Sequence, residues 1–347
     1  MVSPFERLAY VARQGTRVAW YMGHYFASRR YHKARDETDV RRQKPRPPGP
    51  GTDRVLADLA ALFARDLANV AAGHYPMPRD GDGSPARLMA RSRAYFADLP
   101  AAAARKAERR GDEVRSDERR EKLPAYFLQN FHFQTGGYLT EGSAGLYDMQ
   151  VEILFSGSAN AMRRQCLVPL AQFMAGKDQR HVRLLDVACG TGRFFGFARQ
   201  AYPRLGLVGL DLSQCYLAEA RRHLAACRTA SFVMANAEKL PFADGSFDVV
   251  TSIYLFHEVP PKVRRIVAAE FARVLKPGGR LIFMDSLQLG DTPAYDGMLQ
   301  AFPLNFHEPY HASYTREDLP ALFGQVGLAP VSSEPVFLSK LVVGDKV

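Results

Sequence analysis

The sequence predicts an α/β protein: a doubly wound, largely parallel sheet of seven strands whose last pair is antiparallel, preceded by a helical region. Three observations carry this. Residues 183–188 form a short apolar run bounded by polar residues, as expected of a strand buried on both faces of a parallel sheet. From there, short apolar runs alternate with helical periodicities as far as residue 326. The tail then offers two runs, 328–335 and 337–343, with no helix-length gap between them, so only a hairpin can join them.

The elements follow in chain order. Eleven Lys or Arg against four acids in residues 1–46 leave that arm with seven of the ten net positive charges, so the basic excess sits away from the sheet. Within it Phe5, Leu8, Val11, Val18, Trp20, Met22, Tyr25 and Phe26 alternate with arginines. Such a segment suits a helix docked on its own protein or on a second copy in a homo-oligomer. It equally suits a peripheral membrane contact in an anionic headgroup layer. Nucleic acid fits less well and is not expected as a partner, because the charge is distant from the sheet.

Residues 43–52, QKPRPPGPGT, form a linker, since proline and glycine stop a helix. Asp53 is the expected N-cap of an amphipathic helix that lasts to Gly73, followed by a second helix over 84–99. The charge run after residue 104 reads as a solvated helix face. Residues 123–147 crowd Tyr126, Phe127, Phe131, Phe133, Tyr138 and Tyr147 around Gly136-Gly137. This is either an aromatic pocket wall or ordinary packing between the helical region and the sheet. Helices over 143–155 and 159–174 lead into the first strand. Strands are expected at 183–188, 206–211, 231–235, 247–253 and 279–286, and helices at 191–202, 213–228, 261–275 and 315–326. The domain boundaries read as an arm and linker over 1–52, a helical cap over 53–164, and a ligand-binding α/β domain over 165–347.

Composition bounds the class. With 347 residues and 47% hydrophobic content the chain can bury a full core. No apolar run approaches the ~20 residues needed to cross a bilayer. The N-terminus lacks a signal peptide's apolar segment, so a cytoplasmic protein is expected, peripheral to the inner membrane face if the arm meets lipid. Cys166, Cys189, Cys215 and Cys227 show no paired-ligand spacing and read as reduced thiols.

The chemistry gathers at strand ends, where open parallel sheets bind ligands. After the first strand, Cys189-Gly-Thr-Gly192 lets a ligand approach bare backbone. Asp186 is a carboxylate within an apolar strand, tolerable if it meets loop amides or a cation. A dinucleotide fingerprint would need a small residue where Phe195 stands. Asp211 ends the second strand, 19 residues after Gly192, and can accept both hydroxyls of a ribose. Asn236 follows the third strand. After the fourth come Tyr254, His257 and Glu258, where an imidazole with a pKa near ~6.5 could take a proton at neutral pH or could merely cap the next helix. In the 287–314 segment His307, Glu308 and His311 cluster, but Pro309 argues against a helix presenting both histidines to a metal, and none is expected.

The stretch Leu184–Phe194, LLDVACGTGRF, together with Gly209-Leu-Asp-Leu-Ser213 and Lys276-Pro-Gly-Gly279, resembles the class I S-adenosylmethionine-dependent methyltransferases. Over about residues 165–345 it is most similar to the group containing the ubiquinone and menaquinone biosynthesis methyltransferases. The resemblance implies a Rossmann-like sheet with an inserted antiparallel seventh strand and S-adenosyl-L-methionine as cofactor. It implies cofactor contacts at Asp186, Ala188, Gly190, Gly192, Asp211, Leu212, Asn236, Ala237 and Tyr254, with Tyr147 as part of a lid. Tyr138, His307 and Tyr310 would face the acceptor, with His257 and Glu258 as catalytic groups. The expected acceptor is a small, apolar or aromatic molecule methylated at oxygen or carbon. Methylation of a polar metabolite at nitrogen or sulfur, and a non-catalytic S-adenosylmethionine-binding scaffold, stand as alternatives.

Overall fold

The computed structural model describes residues 2–36 and 48–347, so the first half of the 43–52 linker lies outside the described residues. Helix α1 (Pro4–Asp36) opens on a capping box: Ser3 N–H donates to the Glu6 carboxylate at 2.8 Å, and Glu6 N–H donates to Ser3 Oγ at 3.2 Å. Helix α2 (Thr52–Ala71) starts one residue before the expected Asp53 cap, behind Gly51 and with no side-chain cap. Asp53 instead sits in the first turn, where its charge suits the helix dipole.

Helix α3 (Pro85–Glu108) outruns the expected 84–99, because the alanines at 101–104 are strong helix formers. It ends at Arg109, whose backbone is left-handed, and this breaks the charge run, leaving only the short α4 (Asp117–Lys122). Arg105, expected on a solvated face, is buried and donates to the Phe133 carbonyl at 2.8 Å. After α5 (Glu141–Leu154), the single helix expected over 159–174 is two, α6 (Ala159–Gln165) and α7 (Leu167–Met174). Pro169 has no N–H to offer the Gln165 carbonyl four residues back.

The α/β region then runs β1 (Arg183–Val187), α8 (Arg193–Ala201), β2 (Gly206–Asp211), α9 (Gln214–His223), β3 (Ala230–Met234) and β4 (Phe247–Ile253). It continues through α10 (Pro261–Val274), β5 (Leu275–Ser286), α11 (Asp296–Asn305), α12 (His311–Tyr314), α13 (Leu319–Gly324), β6 (Leu328–Val336) and β7 (Ser339–Lys346). The seven strands order as β3-β2-β1-β4-β5-β7-β6, the first five parallel, with β7 antiparallel to both β5 and β6. That is the fold class expected from the sequence. Two helices, α11 and α12, form where no regular element was expected, and α13 is shorter than the expected 315–326, its start fixed by Asp318 accepting from Ala321 N–H at 3.0 Å. Strand β5 begins four residues early, at Leu275, and passes through the Lys-Pro-Gly-Gly turn with a register shift against β4.

Side chains of β1 alternate between two apolar layers: Leu184 packs on the α6–α8 side, Leu185 and Val187 on the α10–α13 side. The pleat therefore turns Asp186 toward α6. Between β1 and β4 the strand order reverses, which opens a crevice at their carboxyl ends.

The N-terminal helices are tied together by a buried ionic network. Arg164 on α6 donates to Asp66 and Asp80, each at 2.6 Å, and Asp66 also accepts from Tyr10 at 2.5 Å and Tyr75 at 2.8 Å. Tyr10→Phe removes one charge-assisted hydrogen bond while keeping the ring, and should cost about 1.5–3 kcal/mol. Chemical denaturation of the whole chain measures this; a midpoint equal to wild type would mean that the α1 contact contributes nothing to stability.

Candidate functional site

The carboxyl ends of β1, β2, β3 and β4 surround one cleft with about 780 Å³ of empty space, its open mouth included. A narrower recess of about 340 Å³ adjoins it along Tyr147, Ala188, Gly190, Ile253 and Tyr254. Ala188 and Tyr254, the residues that directly follow the two central strands, both hold left-handed backbone, with φ of 61° and 64°. Such non-glycine strain costs of order 1–3 kcal/mol and gathers at ligand sites.

The two glycines of the turn do different things. A Cβ on Gly190, whose φ is 55°, would meet nothing within 4 Å and would project into the open cleft. A Cβ on Gly192 would instead stand 3.0 Å from Leu224 and 3.2 Å from Ala220. Gly192 lines neither cavity, so the expected ligand contact is replaced by a packing role: it lets α9 approach the turn.

Asp211 ends β2 facing the cleft and accepts from Gly190 N–H and Ser213 N–H, both at 2.8 Å. Burial pushes its carboxyl up against the pull of these amides. Leu212, Asn236 and Ala237 line the same end of the cleft. Asn236 is held by Glu238, whose N–H donates to Asn236 Oδ1 at 2.9 Å and whose carboxylate accepts from Asn236 Nδ2 at 3.0 Å. Tyr126 closes that end, donating to Glu238 at 2.8 Å. Glu238 is thus a clamp between the sheet and the helical region.

In the recess, Asp186 is buried and accepts from Thr251 Oγ1 at 2.6 Å. Burial pushes its carboxyl up to about 7. Opposite it lies Arg163 of α6, 5% exposed, with its guanidinium 5.7 Å from the Tyr254 ring centroid and its Nη1 without a hydrogen-bond partner. Sequence reasoning missed Arg163, because an arginine in a helix preceding the sheet carries no local signal. It also missed Asp148 of α5, which accepts from Thr191 Oγ1 at 2.7 Å and so locks the glycine turn to the helical region.

The far wall is aromatic. Tyr138 stacks on Phe131 at 5.0 Å and meets Tyr147 and Tyr216 edge-on at 6.1 and 5.3 Å. The Tyr138 carbonyl accepts from Ser213 Oγ, which ties this wall to the end of β2. Tyr138 and Tyr147 both line the cleft.

Glu258 reaches the cleft wall and accepts from Tyr138 OH at 2.5 Å. His257 stands behind it, its Nε2 3.7 Å from Glu258 and its Nδ1 2.5 Å from the fully buried Asp285. Burial works against the imidazolium, but the Asp285 carboxylate outweighs it and raises His257 to about 10. His257 does not cap α10, which opens with no side-chain cap, and its bond to Asp285 favours the protonated imidazole over the free base of the other reading. Glu258 is pushed above the ordinary carboxylate range, chiefly by burial.

His307 and Tyr310, expected to face the acceptor, lie outside the cleft wall. His307 pairs with Gln129 at 2.8 Å, and the Tyr310 carbonyl accepts from Arg264 at 2.8 Å. Their neighbours turn inward instead. Glu308 meets His132 Nε2 at 2.9 Å, and the carboxylates of Glu258 and Glu308 lie within 4.8 Å of His257 and of each other. His311, lowered to about 4 by burial and by the charge of His257, meets the His257 ring edge-on at 6.2 Å.

Residues 184–279 match a family model described as a methyltransferase domain. Over 143 residues the chain is 35% identical to the ubiquinone/menaquinone biosynthesis C-methyltransferase of Desulfotalea psychrophila, covering 41% of this chain and 54% of that protein. Over 132 residues it is 36% identical to the demethylmenaquinone methyltransferase of Lactococcus lactis, covering 37% of this chain and 50% of the relative. The chain thus spans about half the length of these curated relatives. A solved structure, a SAM-dependent methyltransferase from Aquifex aeolicus, is 17% identical with a TM-score of 0.39, covering 52% of this chain and 88% of its own.

Proposed function

We propose, from the match of residues 184–279 to a methyltransferase domain, that this chain transfers a methyl group from S-adenosylmethionine to a small, largely apolar acceptor, at carbon or oxygen. The observation that carries the reading is the division of one crevice into three chemically distinct ends. The recess pairs the Arg163 guanidinium, whose Nη1 has no hydrogen-bond partner, with a buried carboxylate, Asp186, and so complements a zwitterionic amino acid. The open space at the Gly190 Cβ position, beside Asp211, suits a ribose. Leu212, Ala237 and Asn236 line one end of the cleft with two apolar side chains and one amide, a mixture that suits a purine. The residues present therefore fit the cofactor.

When bound, S-adenosylmethionine supplies an activated sulfonium methyl. The chain's residues need only orient, exclude water and hold a proton. Tyr138, Tyr147 and Phe131 form the dry wall, and Glu258 presents an oxygen to the cleft between them. Glu258 would accept the acceptor's proton, as a catalytic residue whose basicity is raised by burial. His257, held charged by Asp285, is a positioning residue that fixes Glu258 and offsets its charge. The aromatic wall and the named C-methyltransferase relatives support an aromatic or quinone-like acceptor. The direct test is turnover of methyl-labelled S-adenosylmethionine in a cell extract, with the product identified by mass spectrometry. Saturable binding without labelled product would favour a scaffold.

A pH dependence follows from Asp186. Its carboxyl rests near 7 without ligand. A ligand ammonium favours the carboxylate, so binding lowers this pKa and releases a proton. Affinity for S-adenosylmethionine should therefore strengthen about tenfold per pH unit from 5 towards 7 and then level. Calorimetry in buffers of different ionisation enthalpy reads the released proton. Asp186→Asn should flatten the slope; an unchanged slope would remove Asp186 from the amino-acid end.

A further inference from the structure

Helix α1 is folded inside out. Its inward stripe at helical spacing is Tyr10, Gln14, Arg17, Tyr21, His24 and Ser28, each at most 8% exposed. Each finds a polar partner: Gln14 donates to Asp80 at 2.8 Å, Arg17 pairs with Asp82 and Glu152, and His24 meets Ser92 at 2.7 Å. The opposite face is apolar. Phe5 is 79% exposed, Leu8 69% and Phe26 49%, with exposed Ala12, Gly15 and Ala19 between them on the same stripe. Surface helices normally show the reverse pattern, so this face is built for a covering.

Two observations identify the cover. The stripe from Phe5 to Phe26 is ~32 Å long and a helix is ~10 Å wide, giving roughly 320 Å². That falls well short of the ~800 Å² per partner of a stable protein interface. The charge around it is also of one sign: Arg7, Arg13, Arg29 and Arg30 are exposed on α1, whose acids are Glu6 in the N-terminal cap and Asp36 at the far end. Two copies laid face to face would bring these arginines together, whereas an anionic surface would be attracted to them. Among the described residues no helix is long and apolar enough to cross a membrane.

We propose that the outward face of α1 docks on an anionic lipid bilayer, with Phe5, Leu8 and Phe26 entering the headgroup boundary and the arginines meeting lipid phosphates. This is independent of the methyl-transfer reading. The test is co-sedimentation of the full chain with vesicles of phosphatidylcholine alone or mixed with phosphatidylglycerol in roughly a 3:1 ratio. Partition onto the mixed vesicles should be at least about tenfold stronger and should weaken as salt is raised. The triple variant F5Q/L8Q/F26Q should lose at least about tenfold of that partition while keeping the wild-type thermal midpoint, since these side chains are exposed. Partition that ignores the triple variant, or absence of partition on either vesicle, would overturn the proposal. So would a wild-type dimer in gel filtration that the same variant turns into a monomer, because a second copy would then be the cover.

Discussion

Glu258→Gln should lower kcat by about 10²–10⁴ while leaving S-adenosylmethionine affinity within a few-fold of wild type. The substitution keeps the shape and the hydrogen bond from Tyr138 but removes the basic oxygen that faces the cleft. The sign of the pH effect is fixed by the shift. Burial holds the Glu258 carboxyl above its ordinary range, and a base must be deprotonated to act, so kcat should fall as pH is lowered through that raised pKa. Glu258→Gln should erase this acid limb. His257→Asn should move the limb rather than erase it, because the imidazolium acts only through Glu258. Wild-type turnover in Glu258→Gln would show that no base is used, and that alignment alone drives transfer.

Asp211→Ala should weaken S-adenosylmethionine binding by about 10²–10⁴, the loss of two hydrogen bonds to a charged acceptor at about 1.5–3 kcal/mol each. The same carboxylate also holds Gly190 N–H and Ser213 N–H. Asp211→Asn separates the two roles, since its single carbonyl oxygen can still receive one amide while the pair of ribose contacts is lost. Calorimetry on both variants, with the thermal midpoint as a control for folding, measures this. Affinity within threefold of wild type in Asp211→Ala would mean that the sugar lies elsewhere.

The sheet, its antiparallel last pair and the crevice at its carboxyl edge were legible in the chain itself. Buried parallel strands must be continuous apolar runs, and a connection as short as the one before Ser339 can only be a hairpin. Gly190, Asp211 and Asp186 were legible for the same local reason, because the carboxyl ends of the strands open on the crevice whatever surrounds them. Which glycine faces the open crevice and which packs on a helix was not, for that depends on Leu224 and Ala220 standing beside Gly192. Arg163 was equally invisible, since it reaches the crevice from a helix that precedes the sheet. His257 illustrates the limit most sharply. Its residue type allows a neutral-pH base or a helix cap, yet the Asp285 carboxylate, 28 positions further on, raises its pKa to about 10. Residue order determines backbone geometry within one element, whereas ionisation and cavity walls are set by groups that only folding brings within a few ångströms.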